Sequence, residues 1–206
     1  MLTVQPNEET NMSNAGIKLP PEILTTSEVR SLLGACGSSW SEQRNRTLLI
    51  VLYRGGLRTS EALDLCPKDV DLDGGRLHVL HGKGDKSRTV GIDPWAVGEL
   101  RAWLVTRAEK VPNGGPVFCS LQGTRMLPVY VRATVKRLAR MCDIEKRVHP
   151  HAFRHTMACE LRREGVDIGV ISRQLGHSSI ATTAQYLAHI CPQEVVDTMQ
   201  KREWKP

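Results

Sequence analysis

With 206 residues, a formal charge of +6 and 40% hydrophobic residues, the chain has the size and mix of one soluble domain with short tails. No apolar run approaches the ~18–20 residues of a membrane span, and the N-terminal segment has no signal-peptide pattern, so a cytoplasmic protein is expected. The charge is concentrated: between Leu121 and His155 eight Lys/Arg stand against two acids, which points to a polyanionic partner.

Residues 1–20 are polar with no apolar period and read as a disordered leader. The stretch "LTTSEVRSLLGAC" then starts a helix. Thr25 and Glu28 fit a capping box, and Leu24 and Val29 sit at the staple positions. A second helix runs through "EQRNRTLLIVLYR" and stops at Gly55-Gly56. A short helix at "SEALDL" is closed by Pro67. From about Asp69 the hydrophobic period falls to two. "DVDL", "RLHVL" and "SRTVGI" are short strands separated by turn signals at "DGG" and "GKGD". Asp93 and Pro94 open the next helix as N-cap and first helical residue.

In "VYVRATVKRLARMC" Val131, Val135, Leu138 and Cys142 form an apolar stripe, and Arg132, Lys136 and Arg140 a basic one. The basic stripe suits either a solvated face or phosphate contacts. Further helices are expected from Pro150 to Glu164, Asp167 to Leu175, Ile180 to His189 and Gln193 to Lys201. The fold class is mainly α with a small three-stranded antiparallel sheet. The six cysteines lie far apart with no CxxC pair, and are expected to be reduced and mostly packed.

Two motifs fail on inspection. "GKGDKS" lacks the leading Gly of a phosphate loop and lies between strands rather than between strand and helix. His151, His155 and Cys159 share a helix face at zinc-binding spacing, but no fourth ligand is evident and Arg154 beside them repels a cation. No metal site is expected.

A dispersed set is more informative. Arg58 follows a Gly-Gly helix stop in "GGLRTSE", and Lys83 is at a hairpin tip in "HGKGDKSR". His151 and Arg154 are neighbours on one helix face in "HPHAFRHT". His177 lies in the turn "LGHSS", and Tyr186 on the helix after it. Taken singly, each has an ordinary structural use: an exposed cation, a satisfied histidine, a core tyrosine.

In this order and in these local motifs, the six residues are similar to the tyrosine recombinase (phage integrase) family, over about Leu24 to the C-terminus. The resemblance implies that residues 21–206 are a catalytic domain of that architecture; family members usually carry a core-binding domain before it, and the expected lack of one here makes the chain either a fragment or a single-domain member. It implies an enzyme that cuts and rejoins DNA strands through a 3′-phosphotyrosine ester, with Tyr186 as nucleophile. Such an ester keeps the bond energy, so no high-energy cofactor is needed. Arg58 and Arg154 would face the nonbridging oxygens, supplying the charge a metal ion otherwise gives.

His151 is the candidate base. The resemblance makes Lys83 the acid for the leaving 5′ oxygen, His177 a phosphate hydrogen-bond donor, and Glu61 an orienting residue. His149 and His155 receive no role beyond structure or support. Phe153, where leucine is commoner in the family, reads as a core substitution. Arg132, Lys136 and Arg140 are the expected DNA-backbone contacts. The implied partner is double-stranded DNA in a homotetrameric synapse, the free protein being a monomer or weak oligomer, nucleoid-associated when bound. Two alternatives stay open: relaxation of DNA in the manner of type IB topoisomerases, and a non-catalytic DNA-binding regulator that keeps the fold.

Overall fold

The computed structural model describes residues 23–80, 87–112, 114–191, 196 and 199–202. The leader at 1–20, the hairpin tip carrying Lys83 and most of the helix expected from Gln193 to Lys201 lie outside the described residues. Eight α-helices and one sheet are described: α1 (Thr26–Gly34), α2 (Trp40–Ile50), α3 (Thr59–Asp64), β1 (Val70–Asp71), β2 (Arg76–Val79), β3 (Arg88–Gly91), α4 (Pro94–Lys110), α5 (Pro128–Met141), α6 (Pro150–Arg163), α7 (Ile168–Leu175) and α8 (Ile180–Ile190). The mainly helical class with a small antiparallel sheet is the one the sequence predicts. Among the described residues no helix is long and apolar enough to cross a membrane.

The starts follow local chemistry. Thr25 accepts from the Glu28 amide while Glu28 caps Thr25 in return, and Leu24 and Val29 are both buried. Asp93 accepts from the Ala96 amide with Pro94 behind it. The strands run β1-β2-β3, all antiparallel, with Leu77 opposite Val90 and Val79 opposite Arg88. On β2, Leu77 and Val79 face the core and Arg76 and His78 face solvent. On α5 the predicted division also appears: Val131, Val135 and Leu138 are buried, whereas Arg132, Lys136 and Arg140 are exposed.

One core joins the elements, with Leu32, Leu48, Ile50, Leu52, Trp103, Phe118 and Phe153 almost wholly enclosed. Phe153 thus takes the core position expected for it. The Leu24 amide donates to Thr156 Oγ1 at 3.0 Å, tying the chain before α1 to α6.

Two local departures bear on the site. The second helix does not stay α-helical up to its glycines: after Ile50 it widens into a π-helical turn, Val51–Gly55, closed by Gly56 at φ 62°. Such bulges recur at functional sites. Here Gly56 takes the left-handed backbone that favours glycine, and a Cβ on it would displace the tip of the Met157 side chain, which reaches it from α6. The carbonyls the bulge frees are used, as the site shows.

The second departure is a correction. Cys159 on α6 and Cys191 at the end of α8 form a disulfide, with Cα atoms 6.1 Å apart, so these two are not the reduced cysteines expected. The helices that carry them pack side by side and bring together residues 32 positions apart, a proximity no local spacing encodes. Cys36, Cys66, Cys119 and Cys142 are free thiols.

Candidate active site

The pocket is framed by the π-turn and α3, by β3, and by α6, α7 and α8. Gln174 on α7 locks this frame. Its side chain accepts from the Gly91 amide at 3.1 Å and donates to the carbonyls of Gly91 at 2.8 Å and Gly55 at 3.1 Å. β3, the π-turn and α7 are thereby pinned to one another.

Arg58 is the N-cap of α3, extended at φ −70° and ψ 151°. Its amide donates to Glu61 Oε2 at 2.8 Å and its Nη1 to Oε1 at 2.7 Å. Arg88, from β3, grips the same carboxylate with two parallel bonds of 2.9 and 2.8 Å. Glu61 is only 4% exposed. Burial alone would push its carboxyl up. The bonds from Arg88 and Arg58 outweigh that and bring it down to about 2. Glu61 is therefore an anion under working conditions, and it fixes two guanidinium groups at once.

Arg154 is buried. It donates Nη1 to the Gly56 carbonyl and Nη2 to the Leu175 carbonyl at 2.6 Å. Two helix-end carbonyls, which would otherwise be orphaned, thus aim its guanidinium. Burial and the nearby Arg58 charge lower its pKa to about 10, so it is still a cation at neutral pH.

α7 ends at Gly176, in the left-handed region at φ 65°, and His177 follows in the turn. Its Nε2 lies 3.4 Å from Arg154 Nη2, and its Nδ1 is hydrogen-bonded to Thr183 Oγ1 at 2.9 Å. Partial burial, with the fields of Arg154, Arg58 and Arg88, pulls this imidazole down to about 4. It is neutral at pH 7.

Tyr186 projects from α8 with its ring edge-on to His177, centroids 5.1 Å apart, and tilted over His155 at 5.3 Å. Its hydroxyl is hydrogen-bonded to His155 Nδ1 at 2.7 Å. Burial lifts the phenol to about 12, against the opposing pull of Arg154 and Arg58. His155 is pushed the other way, to about 4, by burial, then by His149, His151, Arg154 and His189. His151 is exposed near the start of α6, its basicity lowered by partial desolvation and by the charge of Arg154. The rings of His149, His151 and His155 form a triangle with centroid separations of 6.0 to 6.4 Å.

Of the residues singled out in the sequence, Arg58, Glu61, His151, Arg154, His177 and Tyr186 thus meet in one pocket. The field of Arg58 acts on Arg154, His151, His177 and Tyr186 alike. Lys83 lies outside the described residues. Arg132, Lys136 and Arg140 line a separate exposed face on α5.

Sequence reasoning missed two residues. The signal for Arg88 was a strand arginine that a buried glutamate would need as a second counter-charge. The signal for His155 was its place one helical turn beyond His151, facing the same way.

In class, this is a site that gathers two arginines and a row of imidazoles beside a half-buried tyrosine. The chain belongs to the phage integrase family, whose sequence model matches residues 22–191. It is 34% identical, over 88% of its length, to a tyrosine recombinase of Pseudothermotoga lettingae, covering 60% of that relative. Its fold is similar to the crystal structure of XerA recombinase, with a TM-score of 0.78 at 30% identity, over 90% of this chain and 67% of that one. It is also similar to the XerH site-specific recombinase bound to palindromic difH substrate in a post-cleavage complex. There the TM-score is 0.72 at 27% identity, over 89% of this chain and 54% of that one. The chain spans about 60% of the length of the curated relatives it matches.

Proposed function

We propose that this chain carries the strand-cutting and rejoining centre of a site-specific DNA recombinase. The observation that carries the reading is the meeting of the Tyr186 phenol with Arg154, His177 and the Glu61-braced Arg58 in one pocket. The family membership supports it, as does the DNA-bound relative named above.

In the proposed reaction a phosphodiester of duplex DNA lies between Arg58 and Arg154. Tyr186 Oη attacks phosphorus, the P–O5′ bond breaks, and the 3′-phosphate stays on the tyrosine. Rejoining is the reverse, with a 5′-hydroxyl from the same or another strand displacing the phenol. Charge builds on the nonbridging oxygens during attack, and preorganised donors aimed at such charge contribute ~10²–10³ in rate each. His177 and His151 supply further polar contacts. Lys83 is assigned the protonation of the leaving 5′ oxygen from its place in "HGKGDKSR" alone. The ester conserves the bond energy, so the proposed reaction uses neither metal nor nucleotide cofactor. The exposed row Arg132, Lys136 and Arg140 is assigned to phosphate contacts along the duplex. The finer reading is a homotetrameric synapse assembled on DNA in the cytoplasm, at the nucleoid.

The test is a pool of randomised duplexes nicked so that the released 5′-fragment diffuses away. The expected result is a protein–DNA adduct that survives denaturing gels and is lost in Tyr186→Phe. Absence of adduct with the unaltered chain would favour a non-catalytic DNA binder. Relaxation of a supercoiled plasmid without exchange between paired sites would favour a topoisomerase.

A further inference from the structure

His177 belongs to the turn after α7, yet its ring is held from α8, the helix that carries Tyr186. Thr183 Oγ1 lies 2.9 Å from His177 Nδ1, and the Tyr186 ring stands edge-on with centroids 5.1 Å apart. Thr183 is wholly buried and lies three positions before Tyr186, so hydroxyl and phenol share one helix face. The other ring nitrogen fixes which way the Thr183 bond runs. Nε2 lies 3.4 Å from Arg154 Nη2, and a guanidinium has protons to donate but nothing to accept with. The ring is neutral at pH 7. Nε2 therefore accepts from Arg154, and Nδ1 carries the proton and donates it to Thr183 Oγ1.

That tautomer is the wrong one for a phosphate. A phosphodiester oxygen offers only lone pairs, so Nε2 can bond to it only by carrying the proton itself. A threonine hydroxyl both donates and accepts, so Thr183 can serve either tautomer by turning its O–H. Resting on the function proposed above, we propose that Thr183 is a positioning residue, which from α8 orients His177 and holds its Nε2–H tautomer once a phosphodiester is seated. The phosphodiester takes the Arg154 proton that Nε2 accepted. The ring gives its Nδ1 proton to solvent water and takes one from water at Nε2, with no net gain or loss. The Thr183 hydroxyl then donates to Nδ1 where before it accepted. Phosphate donor and nucleophile are thereby set by one helix: a displaced α8 takes the phenol and the partner of Nδ1 away together. A valine at this position would fill the same space and leave Nδ1 without its partner, a cost for any polar atom held away from water.

The experiment measures the rate of adduct formation by the full chain at pH 7 on a duplex selected from the nicked pool. Thr183→Val keeps the shape and removes the hydroxyl, and is expected to slow the reaction roughly 10–100-fold, as loss of a group that orients an imidazole does elsewhere. Thr183→Ser keeps the hydroxyl and should react within about threefold of the unaltered chain. In a chain already carrying His177→Ala, Thr183→Val should slow the reaction by no more than about twofold, because its effect passes through that ring. ¹⁵N NMR of the imidazoles supplies a reading that needs no Thr183 variant, the His177 signals being identified by their loss in His177→Gln. In Tyr186→Phe, which cannot cut, the His177 proton should sit on Nδ1 without DNA and on Nε2 with the duplex bound. The proposal is overturned if Thr183→Val reacts within about threefold of the unaltered chain, or slows the His177→Ala chain as much as the unaltered one. It is equally overturned if duplex binding leaves the tautomer unchanged. Failure of the unaltered chain to form adduct would instead remove the functional reading on which this one rests.

Discussion

Replacing Glu61 with glutamine tests the electrostatic frame of the pocket at little steric cost, because the two side chains are nearly isosteric. The carboxyl falls from an ordinary 4.5 to about 2 in the folded chain, a difference equivalent to about 3 kcal/mol. Its folded value is depressed, so this stability is fully present above pH ~4.5 and fades as pH falls toward about 2. Glutamine also leaves Arg58 and Arg88 without their shared anion, and stripping one partner from a buried pair costs about 3–5 kcal/mol. The two routes agree on roughly 3–4 kcal/mol. For a chain of this size that lowers Tm by about 6–16 °C. Thermal unfolding followed by far-UV circular dichroism at pH 7, then stepwise to pH 3, reads the effect. The gap between Glu61→Gln and the unaltered chain should be wide at pH 7 and narrow steadily below pH ~4.5. A gap under about 1 kcal/mol at pH 7, or one that does not change with pH, would refute the reasoning.

Three further outcomes are expected. Thiol titration of the denatured, unreduced chain should find four of the six cysteines free. Closing the 32-residue separation between Cys159 and Cys191 contributes about 4 kcal/mol by chain entropy, so a reductant should lower Tm by roughly 8–16 °C. Gly176→Ala combines a left-handed backbone at φ 65° with a Cβ 2.6 Å from Arg88 Nε. It should cost about 1–2 kcal/mol in backbone strain alone and displace Arg88 from Glu61, read as slower adduct formation and an earlier denaturant midpoint; unchanged stability would contradict it. Replacing Arg132, Lys136 and Arg140 with glutamine should weaken duplex binding and reduce the slope of log affinity against log salt by up to about 0.9 for each lost phosphate contact. An unchanged slope would remove α5 from the interface.

The fold was legible wherever a local signal sufficed. The Thr25–Glu28 box, the Asp93-Pro94 start and the period of two at Leu77 and Val79 each need only a few adjacent residues. The π-turn at Val51–Gly55 was not legible, since its apolar residues suit an α-helix equally well. The turn closes on Gly56, which packs beside Met157 of α6, and such tertiary packing is not encoded in the local run. The Cys159–Cys191 bond escaped for a similar reason: it depends on how α6 and α8 pack.

In the pocket, the residues inside recognisable motifs were found, and their partners were not. Arg88 reaches Glu61 from a strand 27 positions away. The choice between His151 and His155 as neighbour of the phenol turns on the rotation of α6 relative to α8, which helical spacing leaves undetermined because both histidines share a face.

The most direct measurement is the mass of the attachment site. After the adduct forms on a nicked duplex, nuclease trimming and trypsin should leave a short 3′-phosphorylated nucleotide on the peptide from Gln174 to Lys201. Fragmentation should assign the added mass to the Tyr186 oxygen. A remnant on one of the serines or threonines of that peptide, on any other peptide, or joined through a 5′-phosphate would contradict an account in which this phenol attacks the phosphorus held by Arg58 and Arg154.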